Sequence, residues 1–232
     1  MKKFFTLIAT VAMATSMNAQ GTYAVQEGDN VKAGDQITTV ENITLTYMEN
    51  DGTAHAAGKK QTNWADADFN AYVCGKNNGK LVSGAEPTGS VYKFETAKAG
   101  ALTVGVQLNA NKGFHILDAE FAEVAPASYN LPAAKDGDSQ EFTQNEKNEN
   151  IIAAKSNGTV TFSVAEGGTY YVLAAGTKMG FFGFKYEAGT STGISSIEAA
   201  SAQHGKTYNM AGQQVSGSFK GLVIKNGKKF VK

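Results

Sequence analysis

Residues 158–187 read GTVTFSVAEGGTYYVLAAGTKMGFFGFKYE. Val160, Phe162 and Val164 alternate with Thr159, Thr161 and Ser163, the period of a strand with one dry and one wet face. Glu166-Gly167-Gly168 then supplies a turn in which glycine takes positive φ without steric cost. Tyr170, Tyr171, Val172 and Leu173 form a second β-rich run, and Gly176-Thr177-Lys178 turns the chain into a third at 181–186. The stretch predicts a three-strand meander with Phe182, Phe184 and Tyr186 on one core-facing side. Such a unit cannot bury its aromatics alone, so a second sheet must cover it.

Working outward, the same signs recur. Ile43, Leu45 and Tyr47 alternate with Thr44, Thr46 and Met48, predicting a strand over 37–48. Residues 71–74 and 91–95 read as short strands, and 114–124 as an extended run. Leu102, Val104, Val106 and Leu108 alternate with Thr103, Gly105, Gln107 and Asn109. Turn clusters punctuate these runs at Asn50-Asp51-Gly52, Asn77-Asn78-Gly79 and Glu86-Pro87-Thr88-Gly89. A polar excursion spans 133–150, with a brief strand expected at 141–143, and 53–68 reads as a long crossing loop around Trp64. The order strand, glycine turn, longer strand, Lys/Gly turn, aromatic strand occurs twice, over 89–114 and 158–181. It suggests two similar halves facing each other, although any two meanders share turn chemistry. Short strands with glycine corners and hardly any helical period predict an all-β fold, a jelly-roll-like β-sandwich, with an irregular barrel as the alternative.

Composition bounds function. All 21 basic residues are lysine, against 21 acidic ones. Without arginine, the usual bidentate phosphate reader is missing, which argues against nucleic acid as a partner. Residues 1–19 carry the charged start (Lys2, Lys3), short apolar run and small residue (Ala19) of a signal peptide, and no later stretch is apolar enough to span a membrane. The expected mature chain, 20–232, holds 19 lysines against 21 acids and lies outside the cell or on its surface. Cys74 is the only cysteine, so no intrachain disulfide can form, and its position in the strand 71–74 predicts a small buried hydrophobe.

The chain divides by composition into a β-sandwich over 20–187, a small, polar linker over 188–196 and a C-terminal β appendage over 197–232. In that appendage Tyr208-Asn209, Gly212-Gln213, Val215, then Lys220-Gly221-Leu222, Ile224, and Asn226-Gly227-Lys228-Lys229 stand in an order that resembles the C-terminal sorting domains of secreted Bacteroidota proteins exported by type IX secretion. Val223 stands where that family usually has Tyr. The resemblance implies a tail read by export machinery. Residues 169–184, TYYVLAAGTKMGFFGF, are similar to the last strands of β-sandwich modules found beside glycan-degrading domains in the same bacteria. That likeness implies a carbohydrate-binding-like module whose partner is an extracellular polysaccharide or glycoprotein.

Candidate chemistry is sparse. Asp66, Asp68 and Asn70 have the opening spacing of a calcium loop, but Ala71 and Asn77 occupy its glycine and glutamate positions. The spacing excludes an EF-hand and leaves room only for an irregular structural Ca²⁺ site; no other cofactor is expected. His55, His115 and His204 lie far apart with no zinc-type spacing, no Gly-x-Ser-x-Gly elbow is present, and nothing marks a catalytic carboxylate pair. No catalytic residue is therefore assigned. Sugar binding on a sandwich needs a flat ring beside amide and carboxylate groups. Trp64 with Asp66, Asp68, Asn70 and Tyr72 offers that set and is the expected ligand-binding site, with Trp64 as core filler the alternative. The reading is a non-catalytic glycan-binding module. A surface protein with protein partners, or a small glycan-cleaving enzyme, are the other classes.

Overall fold

The computed structural model describes residues 20–49, 51–57, 68–133 and 138–189, together with strands between 207 and 231. Signal-type residues 1–19, Trp64, Asp66, Asp136 and His204 lie outside the described residues. The chain forms two compact units, divided between Thr190 and Ser191.

The first unit is an all-β sandwich of two seven-stranded sheets, every strand pairing antiparallel, and no helix occurs among its described residues. One sheet runs in the order Ser128–Asn130, Ser156–Val164, Gly100–Leu108, Gly180–Ala188, Ala71–Cys74, His55–Ala56, with Gln20–Ala24 also paired to Gly180–Ala188. The other runs Thr143–Gln144, Asn150–Ile151, Phe114–Leu117, Thr169–Ala174, Val91–Thr96, Ile43–Tyr47, Gln36–Ile37. The second unit is a four-stranded sheet, Gln214–Val215, Thr207–Asn209, Leu222–Lys225, Lys228–Val231, agreeing with the expected appendage of short strands.

The expected meander is corrected in its pairing. Its three strands, Ser156–Val164, Thr169–Ala174 and Gly180–Ala188, do not neighbour one another but alternate between the sheets. Crossing lets the stretch bury its own aromatics: Phe162 and Tyr170 meet across the core with ring centroids 5.7 Å apart. The crossing turn is pinned, since the Ala165 N–H donates to the Tyr170 hydroxyl at 2.7 Å and Thr96 Oγ1 donates to the Ala165 carbonyl at 2.7 Å. Val91–Thr96, Gly100–Leu108 and Phe114–Leu117 alternate in the same way. The two triplets therefore interlock rather than face each other: Gly100–Leu108 sits between the outer strands of one, and Thr169–Ala174 between the outer strands of the other.

Between the sheets lies an aromatic core in which Phe181 stacks on Tyr92 at 4.3 Å and meets Tyr47 edge-on at 6.0 Å, while Phe94 meets Phe184 edge-on at 5.4 Å. The polar ends of the buried tyrosines are satisfied, as burial demands. Tyr92 donates within 3.3 Å of the Val73 and Met179 carbonyls, and the Tyr23 and Tyr47 hydroxyls lie 3.2 Å apart.

A bulge revises the expected face of the last strand. Val104 pairs Phe184 and Gly105 pairs Gly183, but Val106 pairs Phe181, so Phe182 is the extra residue. The bulge rotates Phe181 into the inter-sheet core and Phe182 onto the outer face, where Tyr72 covers it at 5.2 Å. Gly105 leaves the room, since a Cβ there would stand 2.8 Å from the Phe69 ring and 3.1 Å from Phe182 Cβ.

Three further expectations shift. The strand over 37–48 is a small hairpin, Gln36–Ile37 against Ile43–Tyr47, reversed through Asn42 at φ 65°. The run over 114–124 ends as a strand at Leu117, because the Asp118 carboxylate accepts the Glu120 and Ala122 N–H groups and folds a turn. Cys74 is half-buried on the outer side of its strand, because Ala71 and Val73 take the core positions.

Candidate functional site

Three turns that are separate in sequence converge at one end of the sandwich. The first follows Ile43–Tyr47 and carries Glu49 and Asp51; the second, 75–79, leaves Ala71–Cys74; the third ends the hairpin Lys80–Val82 with Ala85–Thr88 at Gly89. Glycine makes their contact possible. Gly89 has φ +83°, and a Cβ on it would stand 2.0 Å from the Asn78 carbonyl oxygen. A Cβ on Gly79 would stand 2.6 Å from the Ala174 carbonyl oxygen. The second turn thus lies directly on the backbone of its neighbours, held by Gly79 N–H to the Thr177 carbonyl and Gly176 N–H to the Gly79 carbonyl, each 2.9 Å.

Above this floor opens a polar cleft of about 470 Å³, lined by Glu49, Lys76, Asn77, Asn78, Lys80, Thr88 and Gly89. Glu49 is fixed there because its Oε2 accepts the Gly89 N–H at 3.2 Å. A second groove of about 400 Å³ adjoins it at Lys76 and is lined by Asn30–Ala33 and Asp51–Thr53. Asp51 braces that groove, accepting the Ala33 N–H at 2.7 Å and the Lys76 ammonium at 3.3 Å. The Ala33 hydrogen bond, with Lys76 second, holds the Asp51 carboxyl below its ordinary range. Opposite, Thr53 Oγ1 donates to Asn30 Oδ1 at 2.7 Å. The lining offers amides, a hydroxyl, carboxylates and ammoniums, a set that exchanges hydrogen bonds with a hydroxyl-rich ligand.

The described members of the expected site line neither depression and lie on and just before the strand Ala71–Cys74. Asp68 pairs with Lys185 at 2.8 Å, and the Lys185 ammonium stands 5.8 Å from the Phe69 ring centre. Tyr72 is half-buried between Phe182 and His55, whose rings lie 5.2 and 6.3 Å away. Asn70 is exposed and its backbone carbonyl accepts the Ala57 N–H. Trp64 and Asp66 are outside the described residues. No group of three or more metal-ligating side chains occurs among the described residues.

One acid–histidine arrangement is found that the sequence spacing did not mark. His115 is 2% exposed, its Nδ1 lies 2.5 Å from Glu123 Oε1, and its Nε2 lies 3.8 Å from Glu149 Oε1 without a hydrogen-bond partner. Asn145 donates to Glu149 at 2.6 Å and fixes it. The ring is sealed from solvent, so this cluster joins two loops to the outer face of its sheet.

No family model matches the chain, and no curated protein matches it. Among solved structures, the catalytic domain of a GH87 α-1,3-glucanase in complex with tetrasaccharides is similar at 10% identity and a TM-score of 0.31 over 74% of this chain and 30% of that one. A GH87 α-1,3-glucanase catalytic domain in complex with nigerose is similar at 9% identity and a TM-score of 0.29, covering 71% of this chain and 29% of that one. The chain thus spans less than a third of the length of these enzymes. Likeness at this level says nothing about shared site residues.

Proposed function

We propose that the chain is an exported, non-catalytic β-sandwich that binds extracellular glycan in the cleft over Gly79 and Gly89. The observation that supports this reading is the polar lining of that cleft, carried on glycine-dependent turns whose backbones touch. Backbone already held in place loses little freedom on binding, which suits a ligand whose hydroxyls must each be matched. Glycoside hydrolysis by the usual route needs two carboxyl groups flanking one bond. Among the described residues lining this cleft Glu49 is the one carboxylate, and the Asp51 carboxylate of the adjoining groove is held by the Ala33 N–H and Lys76. The signal-type start and the resemblance of the tail to sorting domains support an extracellular or cell-surface destination, with the tail as the contact for export machinery.

The test is a glycan array with the full chain beside an Asn77→Ala/Asn78→Ala double variant. Retained binding by the double variant would move the site away from the cleft, and no binding by the parent would remove the function. A second reading places the ligand on the outer face at Asp68, Asn70 and Tyr72, together with Trp64 and Asp66. It is favoured by the half-buried Tyr72 ring, 5.2 Å from Phe182, and by the exposed Asp68, which pairs with Lys185. Loss of glycan binding in Trp64→Ala, with the Asn77/Asn78 variant unaffected, would select it. Specific capture of an envelope or host protein with no glycan affinity would instead favour a surface structural role, and release of reducing ends from polysaccharide an enzyme.

A further inference from the structure

The cleft and its adjoining groove share Lys76 and together make a trough whose charges are unevenly satisfied. Three ammoniums line it, Lys32, Lys76 and Lys80, against two carboxylates, Glu49 and Asp51. Both carboxylates already accept a backbone N–H, Glu49 from Gly89 and Asp51 from Ala33, and Asp51 also takes Lys76. Lys32 and Lys80 have no carboxylate within ion-pair distance among the described residues. One of these two ammoniums lines each half of the trough.

We infer that the trough takes a chain of at least two sugars bearing anionic groups, with Lys80 and Lys32 each receiving one negative substituent on either side of Lys76. This rests on the glycan-binding reading and gives it a substrate class. A single sugar ring would engage one depression and leave the other ammonium without a counter-charge. A carboxylate or a sulfate would serve equally, because an ammonium is a point donor with little geometric preference between them. Asp51 is held by the Ala33 N–H and Lys76, with Lys32 acting on it at longer range, and Glu49 accepts the Gly89 N–H. Neither forms an ion pair with Lys32 or Lys80, and three ammoniums against two carboxylates leave the trough one net positive charge. At low ionic strength each exposed pairing contributes about a twofold to fivefold gain in affinity, so two together give roughly tenfold.

The experiment is calorimetric titration of the full chain with three oligosaccharides of equal length: an oligouronate, a sulfated oligosaccharide and a neutral one. Expected is binding of at least one anionic probe roughly tenfold tighter than the neutral one, with the advantage shrinking as salt is raised. Lys32→Gln and Lys80→Gln should each remove about twofold to fivefold of that advantage, read as the ratio of anionic to neutral affinity within the same variant. Both residues are exposed, so thermal unfolding should match the parent. Comparing the uronate and sulfate arms identifies the substituent. Equal affinity for neutral and anionic probes, or an anionic preference untouched by both substitutions, overturns the inference and leaves glycan binding standing. Absence of binding to all three overturns both.

Discussion

Gly183→Ala is the sharpest probe of how the sandwich is closed. Gly183 lies in the bulge of Gly180–Ala188 at φ +134°, and a Cβ there would stand 2.1 Å from the Tyr23 carbonyl oxygen and 2.9 Å from Ala24 Cα. Both atoms belong to the backbone of Gln20–Ala24, so no side-chain rotation can relieve the clash. The edge strand must move by roughly an ångström, which loosens the Ala24–Gly183 pairing and the Val25 N–H bond to the Phe182 carbonyl at 2.9 Å. At φ +134°, outside the left-handed well that other residues visit, an alanine costs about 1–3 kcal/mol in backbone strain, and one or two weakened hydrogen bonds add about 1 kcal/mol each. The expected loss is therefore about 2–5 kcal/mol, summed from those terms. Gly167→Ala is the control: Gly167 has φ +66° but nothing within 4 Å of the added Cβ. It should show the strain alone, about 1–2 kcal/mol. Urea unfolding followed by far-UV circular dichroism measures both. If the two variants lose the same stability, the close approach of the first strand to the bulge contributes nothing and the account of this edge is wrong.

Other outcomes follow from the same structure. Burial, and secondly the Glu86 hydrogen bond, push the Tyr171 phenol up to about 12. Its unfolded counterpart titrates near 10, so the associated stability is intact below about pH 10 and is lost as pH rises towards 12. In alkaline titrations followed by circular dichroism, Tyr171→Phe should flatten that fall. The Cys74 thiol is raised by burial, so at pH 8 iodoacetamide should alkylate it far more slowly in the native chain than in urea. Phe181→Ala empties the inter-sheet core beside Tyr92, Tyr47 and Phe94 and should cost about 3–5 kcal/mol in urea unfolding. A loss under 1 kcal/mol would show that the bulge does not place Phe181 there.

Strand existence was legible because period 2 is a local property: Val160, Phe162 and Val164 reveal a dry face wherever the strand lies. Partner choice was not. A turn such as Glu166-Gly167-Gly168 serves a hairpin or a crossing equally well, and what decides is whether Phe162 and Tyr170 can meet across the core, a relation that side-chain period does not encode. The same limit explains Phe182. Alternation counted back from Tyr186 and Phe184 puts it inside, and only Gly183 hints at the inserted residue. The candidate site was present as three separate glycine-bearing clusters: Asn77-Asn78-Gly79 leaves its strand as the turn expected, whereas Glu86-Pro87-Thr88 lies in the strand Ala85–Thr88 and Gly52 opens the strand Gly52–Thr53. Their convergence depends on Gly79 and Gly89 admitting backbone contacts of 2.6 and 2.0 Å to a would-be Cβ. Sequence marks a glycine there but not what presses on it. A ring such as Trp64 draws attention because its chemistry is visible in one residue, whereas a site made of Glu49, Asn77, Lys80 and Thr88 exists only when the sandwich brings its turns together. If Asn77→Ala/Asn78→Ala abolishes glycan binding and Trp64→Ala spares it, recognition in this fold is a property of strand order, carried by turns that are individually ordinary.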